Sequence, residues 1–352
     1  LLGAAVFSLF FGLNLMANHP QMTYYLAFAC LFIGLGELYR CIRSKEFREF
    51  LFASGLLMVG AVLAFVSNAS SLMPTQEYSA YTTRGATTLT IEPDGSKKEA
   101  SKQSGLDTDY ILEYNYGGGE LLSMVIPKAR GEKGAPFGNN EALIDYMSDR
   151  DVQNETSFSS DKTFLGQSTY WGGQRFSGGA FYFGVVLFVL FIFGMVFLKD
   201  SIKWPVLALM ILVMLLASND PGGINAFFIN KFPLYNKFRD SKMILILVQL
   251  MIPMMALLFI DGLMKGKVLF SDAKKVYSTS GVVFIFFATL MLIPSLSGSF
   301  ISENESKLFA EAVQNQPEAK EYFNGLKSAM KDARIFLFKQ DALRALGLAI
   351  AV

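Results

Sequence analysis

Charge is missing from this chain over lengths that point to a bilayer. No acidic or basic side chain occurs from Leu1 to Gly36, and residues 176–198, 204–219, 243–260 and 276–302 are equally bare. About 20 apolar residues carry a helix across the hydrocarbon layer, so runs of this kind, repeated along one chain, predict several spans. Composition agrees, with 52% hydrophobic residues, 33 Phe, 16 Met and only 17% charged residues, against about 25% charged in soluble domains. The formal net charge is +1, and no basic arm follows that could track a phosphate backbone, which argues against nucleic acid as a partner. A single histidine and two cysteines rule out a His-based metal cage and a disulfide framework. Nothing in the sequence indicates a divalent cation.

The apolar runs divide the chain. Residues 1–67 read as spans, the first being the tail of a helix over 1–16, followed by 22–39 and 50–67 with a tight turn at Asn18-His19-Pro20. Residues 68–178 form a polar excursion. Residues 179–297 hold further spans around an interfacial loop, 219–242. Residues 298–341 are a polar loop, helix-prone and broken at Pro317, and 342–352 begin a last span. This makes six complete spans and two partial ones. The chain opens inside an apolar run at Leu1-Leu2-Gly3 and stops inside another at Val352, so it is expected to be the middle of a longer protein. Alternation at Tyr78 to Thr83 and at Thr87 to Ile91, with an Asp94-Gly95 turn, predicts strands in the excursion. The expected fold is mainly α, a polytopic transmembrane helical bundle with an extracytoplasmic α+β insertion.

Short basic loops set the orientation. Arg40, Arg43, Lys45 and Arg48 share one loop, Lys199 and Lys203 flank a second, and Lys265, Lys267, Lys274 and Lys275 mark a third. Alternation of spans puts all three on the cytoplasmic side, so 68–178, 219–242 and 298–341 face outward. The loop 219–242 breaks the trend, because it carries Lys231, Lys237, Arg239 and Lys242 outside.

Lys237, Arg239 and Lys242, beside Tyr235 and Phe238, suit a lipid-linked phosphate, since Arg offers a planar fork and Lys a point charge. They equally suit snorkelling anchors with an aromatic belt. His19 and Gln21 sit at an outer span boundary, where an imidazole could bond a sugar or phosphate oxygen or simply precede the helix that Pro20 starts. Asp107, Asp109, Glu113 and Glu120 stand among Tyr110, Tyr114 and Tyr116, a mixture that suits carbohydrate as well as it suits solvated loop charge. Gly117-Gly-Gly119 lacks the Lys and Ser/Thr of a P-loop. Trp171, just before a span, reads as a belt residue.

Three landmarks occur in an order that resembles the YfhO-type bacterial membrane proteins: Asn18-His-Pro-Gln-Met-Thr-Tyr-Tyr25, Tyr170-Trp-Gly-Gly-Gln-Arg-Phe176, and Phe232-Pro-Leu-Tyr-Asn-Lys-Phe-Arg239. The resemblance runs from about residue 14 to 262. It implies a glycosyltransferase of the GT-C type in the bacterial cytoplasmic membrane. Such an enzyme takes a sugar from a polyprenyl-phosphate carrier on the outer face and delivers it to a cell-surface glycopolymer or lipid. Lys237, Arg239 and Lys242 would then hold the donor phosphate. His19, Gln21, Tyr235, Asp107, Asp109 and Glu120 would contact substrate. The GT-C catalytic acid is expected in the first outer loop, before the part of the pattern found here, so the catalytic residue stays unassigned. A flippase for a lipid-linked sugar is the competing class, and Pro253, in the run 243–260, is the feature that could mark its broken helix. A non-catalytic scaffold is the third reading and predicts no enclosed cavity.

Overall fold

The computed structural model describes residues 1–85, 91, 95–96, 105–117, 119–174 and 181–352. Its α-helices are α1 (Leu2–Met16), α2 (Pro20–Ser44), α3 (Phe47–Ser67), α4 (Ala69–Ser79), α5 (Thr108–Leu112), α6 (Glu141–Asn154) and α7 (Lys162–Leu165). They continue as α8 (Val185–Phe197), α9 (Lys203–Leu216), α10 (Gly223–Lys231), α11 (Ile246–Met264), α12 (Ala273–Leu292), α13 (Glu303–Asn315) and α14 (Lys320–Ala351).

Four helical stretches are long and apolar enough to cross a membrane: α2, α3, Ser241–Met264 and α12. In α3 the side chains of Phe52, Met58, Val62, Leu63 and Val66 are exposed, a surface that water tolerates poorly and lipid accepts. The chain is therefore a mainly helical membrane protein. Among the described residues four of the six expected complete spans are helices of that length, while α8 and α9, at the other two, are shorter apolar helices of 13 and 14 residues. Gly184, at φ +101°, delays the start of α8 to Val185, and the Ser218-Asn-Asp-Pro-Gly-Gly223 stretch ends α9 early. Pro253 lies inside an unbroken α11.

The α+β insertion is not supported, because no named strand occurs among the described residues. Tyr78 and Ser79 close α4, and residues 80–84 are turns and a bend, so the alternation there reflects a helix end. The second predicted strand falls at 87–90 outside the described residues, as does Asp94 of the predicted turn. The charged stretch 303–340 is helical on both sides of Pro317, as read. No new helix begins near Ala342, because α14 runs through it.

The chain divides into two compact units, one of Leu1–Glu113 with Lys199–Met251 and one of Tyr114–Leu198 with Ile252–Val352. In the first, small residues let helices approach closely. Ser8 Oγ donates to the Gly60 carbonyl (2.9 Å), and Asn68 Nδ2 donates to that of Gly12 (3.2 Å), which locks α1 on α3. Gly36 of α2 faces Pro205 of α9, where a Cβ would come within 2.5 Å of Pro205 Cγ. Fully buried Asn225 donates to the carbonyls of Ser218 (3.1 Å) and Asp220 (2.9 Å), fastening the loop before α10.

In the second unit α14 serves two cores. Phe338, Ala342, Ala345 and Leu346 pack with residues of α8 and α12, while Leu326, Met330, Ala333 and Leu337 pack with Phe137, Leu143, Met147 and Phe164. Ser302 and Glu305 form a capping box that starts α13. The Glu305 carboxylate also receives both terminal nitrogens of Arg334 (2.6 and 3.0 Å). Arg334 is 2% exposed and donates further to the carbonyls of Phe300, Ser168 and Tyr170.

Candidate functional site

In the first unit, α2 and α3 form an antiparallel hairpin turned at Lys45-Glu46. The 25 residues of α2 extend about 37 Å at 1.5 Å per residue, so the two ends of this hairpin are a membrane thickness apart. Arg40, Arg43, Lys45 and Arg48 mark the end with the turn. At the other end, a cavity of about 1110 Å³ lies among Asn18, His19, Gln21, the end of α3 and most of α4, with Arg84, Leu234, Lys237 and Phe238 on its rim. A second chamber of about 460 Å³ adjoins it and shares Asn18, His19, Pro20, Phe65, Leu72, Leu234 and Phe238. That chamber runs between α1, α2 and α3, where Phe7, Phe11, Leu26, Ala27 and Ala61 line it. Together the two make an apolar trough with a cationic mouth.

Local chemistry builds the mouth. Asn18, at φ +53°, turns the chain so that Pro20 can open α2. In the first turn of α2, Gln21 Nε2 donates to the carbonyls of Arg239 (2.8 Å) and Asp240 (3.3 Å), and one turn further in Tyr24 Oη donates to that of Pro233 (2.7 Å). These bonds fix the basic loop against α2. Tyr235 is 1% exposed. It packs edge to face on Phe228 and near Tyr24, so it supports the loop from the aromatic core instead of lining the cavity. The loop turns through Leu234 (φ +63°) and Asp240 (φ +58°).

The three predicted phosphate cations part company. Lys237 lines the cavity and donates its Nζ to the Arg84 carbonyl (2.6 Å), and burial lowers its pKa. Arg239 donates to Tyr110 Oη (2.6 Å) and lies over the Tyr110 ring, beside exposed Asp107 and Asp109 at the start of α5. Lys242 is the second residue of the 3₁₀ turn Ser241–Leu245, half-buried and off the cavity lining. Lys242 and Arg239 pull the Asp240 carboxyl down, but burial is the larger influence and raises its pKa. His19 and Gln21 do meet Lys237 at one cavity.

Glu120 belongs to the second unit. It is 3% exposed and accepts from Tyr170 Oη and the Gly117 amide, so it presents no surface to a substrate. Trp171 is likewise buried at 4% exposure, with the Arg130 guanidinium 3.9 Å from its ring, which overturns its reading as a belt residue. Gly118 of the glycine run, and Arg175 and Phe176 of the landmark that begins at Tyr170, lie outside the described residues.

Sequence reasoning missed Arg84 and the whole of α4. One signal was present: Arg84 is the lone Lys or Arg between Asn68 and Ser96. Comparison with family models, with curated proteins and with solved structures returns no match.

Proposed function

We propose that the first unit holds an amphiphile with an anionic headgroup, its tail in the trough between α1, α2 and α3 and its headgroup beside Lys237, His19 and Gln21. The observation that supports this is the continuity of the two chambers, nearly all hydrocarbon at one end and cationic at the other. Their volumes suit a ligand of lipid-chain size, since small-molecule sites occupy roughly 300–1,000 Å³.

The amphiphile that best fits the sequence is a polyprenyl phosphate carrying a sugar, and the reaction is transfer of that sugar to a cell-surface glycopolymer or lipid. With the basic loop 40–48 on the cytoplasmic side of a bacterial membrane, the mouth opens on the extracytoplasmic side, where such donors are used. Lys237 would neutralise the phosphate and favour its departure from the sugar.

The test is binding of a labelled polyprenyl phosphate to the full chain in lipid nanodiscs. Lys237→Gln should weaken it about tenfold, the value of one charge-assisted bond, and Ala27→Trp, which fills the trough, should weaken it at least as much. Wild-type affinity in both variants would remove the amphiphile site. Release of polyprenyl phosphate from its sugar-linked form then tests transfer separately.

A further inference from the structure

The wall of the cavity opposite the basic loop is held unusually weakly. Helix α4 contributes Ala69, Leu72, Met73 and Gln76 to the lining, yet none of its residues is buried. Elements with so little packing lie at the low-stability end of a protein. The start of α4 is anchored by Asn68, which ends α3, begins α4 and donates Nδ2 to the carbonyls of Ala64 (2.9 Å) and Gly12 (3.2 Å).

Beyond α4 the chain closes on itself. Thr82 Oγ1 donates to the Ser79 carbonyl (2.8 Å) and the Gly85 amide to that of Thr82 (2.8 Å). A Cβ on Gly85 would sit 2.0 Å from the Ala80 oxygen, so only glycine fits. This turn delivers Arg84 to the basic loop. There Arg84 Nε donates to the Lys237 carbonyl (2.8 Å) while Lys237 Nζ donates to the Arg84 carbonyl (2.6 Å). The two cations of the cavity mouth thus clasp each other's backbone, across 153 residues of sequence.

We propose that Arg84 and Lys237 are a ligand-operated clasp: they hold α4 closed over the cavity, and a phosphate headgroup opens it by drawing both cations to itself. The chemistry favours the exchange. A carbonyl is a neutral acceptor, whereas a phosphate oxygen carries charge of its own and adds ionic attraction to the bond it accepts from Arg or Lys. A phosphate also presents several acceptor oxygens, enough to meet an ammonium and a guanidinium at once. A headgroup without phosphate offers no such gain, so the clasp makes Arg84 a specificity-determining residue that selects the ligand before the trough receives its tail. This rests on the amphiphile reading of the same cavity.

Spin labels at Glu77→Cys on α4 and Met58→Cys on α3, with Cys30 and Cys41 changed to Ser, report the closure as a distance distribution in nanodiscs of digalactosyldiacylglycerol, a bilayer lipid without phosphate. Without ligand the distribution should be narrow. Dodecyl phosphate should lengthen it, and dodecyl maltoside should leave it alone. Inorganic phosphate shifting it equally would support the clasp and assign it to a free anion instead of a lipid. Arg84→Gln, and independently Lys237→Met, should broaden and lengthen the ligand-free distribution. A ligand-free distribution unchanged in both variants overturns the clasp. So does dodecyl phosphate that binds by calorimetry without moving α4, although the amphiphile site then survives. Absence of any binding heat overturns both.

Discussion

Arg334 and Arg84 are both tethers between segments distant in sequence, and they do opposite things. In the second unit Arg334 is buried to 2% exposure, and its two terminal nitrogens meet the Glu305 carboxylate and three backbone carbonyls. In the first unit Arg84 is exposed at the rim of a cavity and joined to Lys237 by two bonds to neutral acceptors. The first arrangement is costly to open, because removing either partner leaves a buried charge without compensation. The second is cheap to open, because water or an anion can replace each bond. The difference teaches where the molecule is built to stay and where it is built to change.

The sharpest way to break that contrast is Arg334→Ala. It should cost about 3–5 kcal/mol, which at roughly 2–4 °C per kcal/mol for a unit of this size is a large fall in Tm, measured by thermal unfolding in nanodiscs. Arg334→Met with Glu305→Gln should recover much of it, since the pair is then removed whole. A Tm for Arg334→Ala close to the parent's would place both arginines in the same class.

Gly131→Ala probes the same closed region by another route. Gly131 has φ +72°, and a Cβ there would lie 2.0 Å from the Thr169 oxygen, a rigid backbone neighbour held by the Thr169 amide's bond to the Ala135 carbonyl. The expected loss is about 1–3 kcal/mol, again read as Tm. Glycines at open positions, such as Gly134, where a Cβ meets nothing within 4 Å, are the control for clash, because Gly134 shares a positive φ.

In the first unit the comparable substitution is Gln21→Ala, and it should cost less, about 1 kcal/mol. It strips the amide bonds from the Arg239 and Asp240 carbonyls, but Gln21 lines the cavity, from which water can satisfy those oxygens. A loss as large as that of Arg334→Ala would mean that the mouth is as closed as the second unit's interior.

Helical class and the long spans were legible in the sequence, because an uncharged run of 20 residues has few other uses. The turn at Asn18-His19-Pro20 and the break at Pro317 were legible for a similar reason: proline removes a donor and fixes φ, wherever it falls. Span length failed at α8, where the apolar run does not reveal that Gly184 leaves the helical region. The site was half legible. Lys237, His19 and Gln21 were brought together, whereas Tyr235 and Glu120 proved to be interior, since their residue types do not distinguish a buried hydroxyl or carboxylate from an offered one. Arg84 was missed because its meaning comes entirely from a partner 153 residues away.

The smallest expected effect sharpens the comparison through acid. Burial tends to raise the Glu305 carboxyl, but the bonds and charge of Arg334 and the Ser302 amide outweigh it and hold the pKa below the ordinary value. Its contribution to stability is therefore complete above about pH 4.3 and is lost as pH falls through the lower folded pKa. Asp240 has the other sign. Burial raises its carboxyl despite Lys242 and Arg239, so the folded form keeps its proton more tightly. Between about pH 3.9 and its raised pKa, acidification favours the folded state. Glu305→Gln should flatten the acid limb of Tm against pH, while Asp240→Asn should steepen it and raise Tm slightly at pH 7. Acid limbs that change in the same direction in both variants would show that the two units manage their buried charge alike.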